Sequence, residues 1–337
     1  MQNRATKRAR KRSKVIISVN PKAGHGPSRQ LAQRLADLLL DDGFEVEILE
    51  ILDEVAKSAN LWHKQGLLWV LVGVGGDGTA AELVNRTEPG VPIVILPSGT
   101  ENLLAKYIGW SQSPEELYQT IVAGRLKVFD AARADERIFL LMIGCGFDAD
   151  VVRRVDAART GHITHWTYFW PILTALSHYR YPKLLVYSSQ NDDGEYEDSM
   201  PVARIRWLFA FNLPCYAGGL KFTPGASGDD GFLDVCTFRR GSFWHWLRYM
   251  TAILFGRHHM LADCNVWRTR RFKITSPKKV PYQLDGDPGG YLPVKVEIMP
   301  KRMTLMVPQS RWPESKCPDS TCNGKQDEET ADKGEKV

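Results

Sequence analysis

Three glycines crowd around one aspartate in the stretch Gly73 to Asn85 (GVGGDGTAAELVN). Glycines leave backbone N–H groups uncovered, and a run of such groups can hold phosphate oxygens. A helix that starts there adds the positive end of its dipole. Gly75, Gly76, Gly78 and Thr79 are the candidate cradle. Asp77 sits oddly in a loop meant only for anions. A carboxylate there makes sense as partner of a divalent cation that accompanies the phosphate, or of a substrate hydroxyl. The plain alternative is a tight turn with aspartate as helix cap, which asks for one glycine and not three.

Four more segments carry chemistry-bearing residues. VNPKAGHG, Val19 to Gly26, follows a strand, and its Asn20 and Gly24 allow close approach of an anion to the next helix. An ordinary strand-to-helix turn also favours Asn, Pro and Gly. LPSGTENLLAKY, Leu96 to Tyr107, places Gly99, Thr100 and Asn102 where they can bind a nucleotide or cap a helix. QLDGDPGG, Gln283 to Gly290, offers Asp285 and Asp287, yet Asp-Gly by itself is a hairpin signal. TPGASGDDGFLDV, Thr223 to Val235, is either a solvated acidic turn or a set of hard oxygen ligands.

The elements that must position these residues fall into two patterns. From residue 14 to 130, short β runs alternate with helical ones: VIISV, FEVEIL, LLWVLVGV and VPIVILP between SRQLAQRLADLLL, TAAELVN and PEELYQTIVAG. Near-continuous apolar strands in such alternation predict a parallel sheet covered on both faces, a doubly wound α/β domain. Residues 131–310 read differently. IFLLMIG, KLLVYSS, ARIRWLFAF, FLDVCTF, RFKITS and VKVEIMP predict an antiparallel β-rich domain interrupted by two helical stretches. Residues 1–13 are expected to be a basic disordered arm and 311–337 a disordered polar tail.

Taken in order, the segments resemble the diacylglycerol kinase catalytic family, which includes sphingosine kinases. GGDGT with Glu82 and Asn85 behind it matches the family's glycine-rich signature. Its Asn-Pro-x-x-Gly element is here Asn20 to Gly24, and its Pro-x-Gly-Thr-x-Asn element is Pro97 to Asn102. Its Asp-Gly-Glu type of turn is Asp285 to Asp287, and the resemblance covers roughly residues 14–308. GGDGT alone is shared with NAD kinases and phosphofructokinases; the ordered set of four is specific.

The resemblance implies a doubly wound nucleotide-binding domain, a C-terminal β-sandwich-like domain, and ATP between them. Gly75, Gly76, Gly78 and Thr79 would cradle the phosphates, with Asn20, Gly24, Gly99, Thr100 and Asn102 around the nucleotide. Asp77 would sit at the γ-phosphate or its Mg²⁺. The family's base is usually the Glu of the turn, here Asp287, one methylene shorter, with Asp285 beside it. In the sphingosine-kinase branch the loop aspartate has that role, so Asp77 and Asp287 are rival bases. A structural Mg²⁺ is implied on Asp229, the Phe232 carbonyl and Asp234. A second departure is that FEVEILEI lacks the Thr that many members present to ATP.

The expected activity is ATP- and Mg²⁺-dependent phosphorylation of diacylglycerol or a related lipid. Alternatives are a sphingoid-base kinase, a soluble-substrate enzyme of NAD-kinase type, and a non-catalytic nucleotide- or lipid-binding regulator. Against the NAD kinase, no Gly-Ser-Thr-Ala stretch follows the glycine loop. Aromatic segments at 165–179 and 242–256 are either core helices or a lipid-facing surface.

Charge sits on the tails. Seven Lys/Arg fall in the first fourteen residues, whereas seven acidic and four basic residues follow from Glu314 onward. The arm is solvated or drawn to anionic lipid. Nucleic acid is not an expected partner, because no aromatic or structured motif accompanies the charges. A lipid substrate is expected, and a homodimer is left open. VIISV is too short for a signal peptide, and the six cysteines are read as reduced thiols. The expected location is cytoplasmic, with peripheral contact at the inner membrane surface.

Overall fold

The computed structural model describes residues 13–19, 27–157, 179–188, 200–216 and 219–312. Residues 1–12, Asn20, Gly24, the first aromatic segment up to residue 178 and the acidic tail lie outside the described residues.

The N-terminal part runs β1 (Lys14–Val19), α1 (Pro27–Asp41), β2 (Glu45–Leu49), α2 (Leu52–Lys64), β3 (Leu68–Gly75), α3 (Asp77–Arg86), β4 (Pro92–Pro97), α4 (Leu103–Ile108) and α5 (Pro114–Ala123). Strands β1 to β4 pair in parallel in the order β2-β1-β3-β4. Central strands in such a sheet are covered on both faces, which is why β3 is buried from Val70 through Val74 without polar alternation. Helix signals are local. In α5, Ser113 accepts from the Glu116 N–H, Pro114 opens the first turn, and Gly124 at φ 64° closes the last.

The rest of the chain is β-rich: β5 (Leu126–Ala134), β6 (Arg137–Phe139), β7 (Met142–Cys145), α6 (Phe147–Ala157), β8 (Leu184–Ser188), β9 (Ala203–Ile205), β10 (Trp207–Phe211), β11 (Leu233–Phe238), α7 (Phe243–Leu254), β12 (Cys264–Thr269), β13 (Arg271–Thr275), β14 (Pro281–Leu284), β15 (Asp287–Tyr291) and β16 (Val294–Met306). An antiparallel sheet in the order β12-β11-β10-β7-β14-β15 packs on β5, β16, β13 and β8. Phe139, Ile143, Leu208, Val235, Phe272 and Val296 fill the space between. The architecture is thus an α/β domain followed by an antiparallel β-sandwich.

The two domains share a sheet, which composition did not reveal. β16 pairs antiparallel with β13 and β5, then parallel with β4 through Thr304 and Leu305. The boundary expected after Asp130 therefore falls inside β5. Asp130 itself joins three segments: one oxygen accepts the Lys301 N–H at 2.7 Å, the other the Gly231 N–H at 2.7 Å. Arg302 of β16 is buried and donates to the Val84 and Thr87 carbonyls at the C-terminal end of α3. A guanidinium there complements the negative end of the helix dipole. Among the described residues, no helix is long and apolar enough to cross a membrane.

Candidate active site

The site is built where β3 and β4 end and the β14–β15 hairpin comes down on them. Gly75 and Gly76 carry the chain from β3 into α3, and Gly76 is the helix N-cap without a capping side chain. The next loop lies against this one backbone to backbone. A Cβ on Gly99 would sit 2.8 Å from the Gly76 Cα, so position 99 has no room for a side chain, and a Cβ on Gly76 would be tight at 3.3 Å from the Gly99 Cα. A Cβ on Gly75 would collide with the Thr79 side chain. Glycine is therefore dictated by packing at 75 and 99. Gly78 differs: a Cβ there would meet only the Asp287 carboxylate, at 3.6 Å. Its bare face is exposed, with the start of α3 behind it.

The acidic residues of the site do different things. Asp77 turns away from the open face of the loop, and its two oxygens accept from the Leu103 and Leu104 N–H groups at 2.9 and 2.8 Å. It thereby caps α4, whose own N-cap Asn102 makes no side-chain cap bond. Asn102, at φ 51°, instead closes its own loop by accepting from the Gly99 N–H and donating to the Gly99 carbonyl. Thr100 is exposed on the same loop. Asn85 exchanges both amide bonds with the Ile138 backbone and so anchors α3, whereas Glu82 makes an exposed pair with Arg86 within the same helix.

The hairpin turn is Asp285-Gly286, with φ of 52° and 89°, the type I′ geometry that Asp-Gly favours. Asp285 is half-buried, and its carboxylate accepts three consecutive backbone N–H groups, from Leu140, Leu141 and Met142, at 2.6 to 2.9 Å. Burial pushes its pKa up to about 6 against those three donors, and the nearby negative charge of Asp77 adds to the rise. Burial likewise raises Asp77. Asp287, first residue of β15, is half-exposed and leans toward Arg137 at 3.8 Å. Arg137 also donates to the Pro288 carbonyl. The structure thus brings Asp77, Gly78, Asp285 and Asp287 together from sequence positions two hundred residues apart.

Sequence reasoning missed a buried carboxylate at the start of α6. Asp148 accepts from the Tyr216 hydroxyl and from Gln283 Nε2, two residues before Asp285, and burial raises its pKa. A Cβ on Gly144 would sit 2.5 Å from its carboxylate. The signal was available as GCGFDAD, another strand-to-helix turn with flanking glycines and an aspartate at the helix start. Arg137 carried no signal of its own.

The two carboxylates of the implied structural Mg²⁺ site lie in different surroundings. Asp234 has one buried oxygen without a hydrogen-bond partner, which suits a cation. Asp230 and Asp234 share the Arg268 guanidinium. Asp229 is engaged elsewhere, with Lys127 at 3.0 Å and Ser227 at 2.6 Å, and those contacts hold its pKa low. The expected ligands are two carboxylates and the Phe232 carbonyl, and in this structure Asp229 is paired with Lys127 and Asp234 with Arg268.

Residues 14–134 match the diacylglycerol kinase catalytic domain, and residues 142–307 match the YegS C-terminal NAD kinase beta sandwich-like domain. The chain is 22% identical over 249 residues to the diacylglycerol kinase of Bacillus subtilis (strain 168), covering 72% of this chain and 78% of that protein. It is 26% identical over 245 residues to a protein of Shewanella frigidimarina (strain NCIMB 400) named as a YegS-like lipid kinase, covering 71% and 76%. The crystal structure of a diacylglycerol kinase from Bacillus anthracis str. Sterne superposes with a TM-score of 0.62 at 21% identity, covering 88% of this chain and 98% of that one. At this identity the superposition shows the fold.

Proposed function

The chain belongs to the diacylglycerol kinase catalytic-domain family, a family of phosphotransferases, and from this we propose that it is a lipid kinase using ATP and Mg²⁺. Its acceptor is the hydroxyl of diacylglycerol or a closely related lipid. The observation that carries this reading is the open face of Gly78 opposite Asp287, with 3.6 Å between the carboxylate and the vacant Cβ position. A phosphoryl group on that face has backbone N–H groups and the α3 N-terminus on one side and a carboxylate on the other.

In this reading the acceptor oxygen attacks the γ-phosphorus and the bond to the β,γ-bridging oxygen breaks, releasing ADP. Asp287 takes the hydroxyl proton. Asp287 is chosen over Asp77 because its carboxylate faces the open side of Gly78, whereas the Asp77 carboxylate is turned to the Leu103 and Leu104 N–H groups. Asp77 is a positioning residue that fixes α4 and the Gly99 loop against the glycine loop. Asp285 fixes the hairpin, so the shorter Asp287 is delivered by the turn and steered by Arg137. Mg²⁺ carried with the nucleotide would neutralise phosphate charge beside Asp287 and the Asp77–Asp285 pair. Most of the rate comes from positioning and electrostatics.

The test is transfer of labelled γ-phosphate from ATP in mixed micelles containing diacylglycerol, monoacylglycerol, ceramide or sphingosine, with NAD as control. Mg²⁺-dependent label on diacylglycerol is expected. Label on sphingosine would move the acceptor to a sphingoid base, and label on NAD alone would overturn the lipid reading.

A further inference from the structure

Helix α7 is apolar on the side it turns to water as well as on the side it buries. Tyr249 and Ile253 face inward with Trp246, which packs on Phe147 at the start of α6. On the opposite face Trp244 is 74% exposed, Leu254 70% and Phe255 74%, with Met260 at 73% just beyond the helix. Trp244, Leu247, Thr251, Phe255 and Met260 line one groove of about 550 Å³. A surface helix that only covered a core would present charged residues on this side.

Beside the groove lies a second concavity of about 460 Å³, and Arg248 lines both. Its other walls are Arg204, Arg239 and Arg240, against the single acid Asp263. Asp263 is engaged by Arg248 at 3.2 Å and by the Tyr249 hydroxyl at 2.7 Å. Four guanidinium groups against one carboxylate leave a local surplus of positive charge. The sequence carries no Asp or Glu from residue 235 to 262, so the whole segment around α7 is free of acid.

We propose that this face docks on an anionic lipid bilayer, with the aromatic groove of α7 entering the headgroup–acyl boundary and the arginine concavity receiving lipid phosphate. The chemistry selects that occupant. Amphipathic Trp and exposed Phe, Leu and Met suit the membrane interface, and arginines bind phosphate through forked N–H donors. A protein partner would need no arginine concavity at the edge of an apolar groove, whereas an acidic bilayer presents both counterparts on one plane. The proposal deepens the lipid-kinase reading, because an enzyme acting on bilayer lipid must meet its substrate at that boundary. On its inward side α7 packs through Trp246 on Phe147, the neighbour of Asp148, which ties the helix to the strand-to-helix turn beside Gln283.

The experiment is vesicle co-sedimentation of the full chain without ATP, using phosphatidylcholine alone and phosphatidylcholine mixed with phosphatidylglycerol. The exposed residues are changed in two pairs, Trp244→Ala with Phe255→Ala, and Arg239→Ala with Arg240→Ala. Binding is expected only to the anionic vesicles and to weaken with salt. It should fall about thirtyfold in the arginine pair and at least about tenfold in the aromatic pair. The melting transition should be unchanged in both. Binding that is equal in wild type and both variants would overturn the proposal and assign adsorption to the basic N-terminal residues. Variants that instead dissociate a lipid-free dimer would assign the face to a second copy of the chain. Turnover of a short-chain lipid without vesicle binding sinks the docking face and leaves the kinase reading. Vesicle binding lost in the variants without turnover on any lipid does the reverse.

Discussion

The glycine loop of the α/β domain and the Asp-Gly hairpin of the β-sandwich each bring aspartate to one cleft, and they use it in opposite ways. In the loop, glycine is required by crowding at Gly75, and Asp77 is turned inward to hold α4. In the hairpin one aspartate is turned inward and the other outward, because Asp285 lies in the turn itself and Asp287 opens the strand that follows it. Asp285 holds the Leu140–Met142 backbone while Asp287 faces Gly78. The difference teaches that an acidic residue inside a signature motif is not thereby the reacting one. What decides is whether its oxygens are already committed to backbone donors.

The largest effect expected from this contrast is on folding. Asp285→Ala leaves three enclosed N–H groups without acceptors, each worth about 1–3 kcal/mol when unsatisfied. A loss of roughly 3 kcal/mol or more is expected in urea unfolding, and a loss below about 1 kcal/mol would break the assignment of Asp285 as the brace. Next in size is catalysis. Asp287→Asn, at a half-exposed site, should lower kcat about 10²- to 10⁴-fold with an unchanged melting transition. Asp77→Asn should instead lower the melting temperature, since an amide cannot accept both the Leu103 and Leu104 N–H groups. If Asp77→Asn abolished turnover at unchanged stability, the two aspartates would exchange roles.

Legibility divides along the same line. Strand–helix alternation and buried apolar runs such as LWVLVGV made the first domain readable, because a parallel sheet repeats one local pattern. The six β segments of the second domain were also recognised, and Asp285-Gly286 is the hairpin its dipeptide announces. The shared sheet was not readable. VKVEIMP gives no sign that the same strand continues past a bulge near Lys301 to pair with β4. Within the site, motif order picked out the glycine loop and the Asp-Gly hairpin that the fold brings together. Side-chain direction is set by tertiary contacts, so the bonds of Asp77 to α4, of Asn102 to Gly99 and of Asp229 to Lys127 lay outside its reach. Asp148 was legible in principle, from a glycine-flanked strand-to-helix turn like the one at Gly75 to Asp77.

The smallest effect tests the same contrast through protons. Asp285 has its pKa raised by burial to about 6, from an ordinary value of 3.8. A carboxyl group so raised contributes stability that is full below about 3.8 and is lost as pH climbs through about 6. The ceiling for this one group is about 3 kcal/mol between those limits. Asp77 and Asp148, also raised by burial, act in the same direction. Asp229, held low by Ser227 and Lys127, acts in the opposite one. Asp263 does too, because Tyr249 and Arg248 outweigh the upward push of its burial. The net slope of the whole protein therefore decides nothing, and the informative quantity is a difference. Unfolding free energies measured from pH 4 to 7 should show Asp285→Asn less stable than wild type at every pH, with the gap narrowing as pH rises. Wild type loses the raised group's contribution over that window, and the amide has none to lose. A gap that stays constant would mean that Asp285 stays ionised down to pH 4, its three N–H donors overriding burial. The brace would then be as strong at neutral pH as in acid, and the hairpin would deliver Asp287 with equal rigidity across that range.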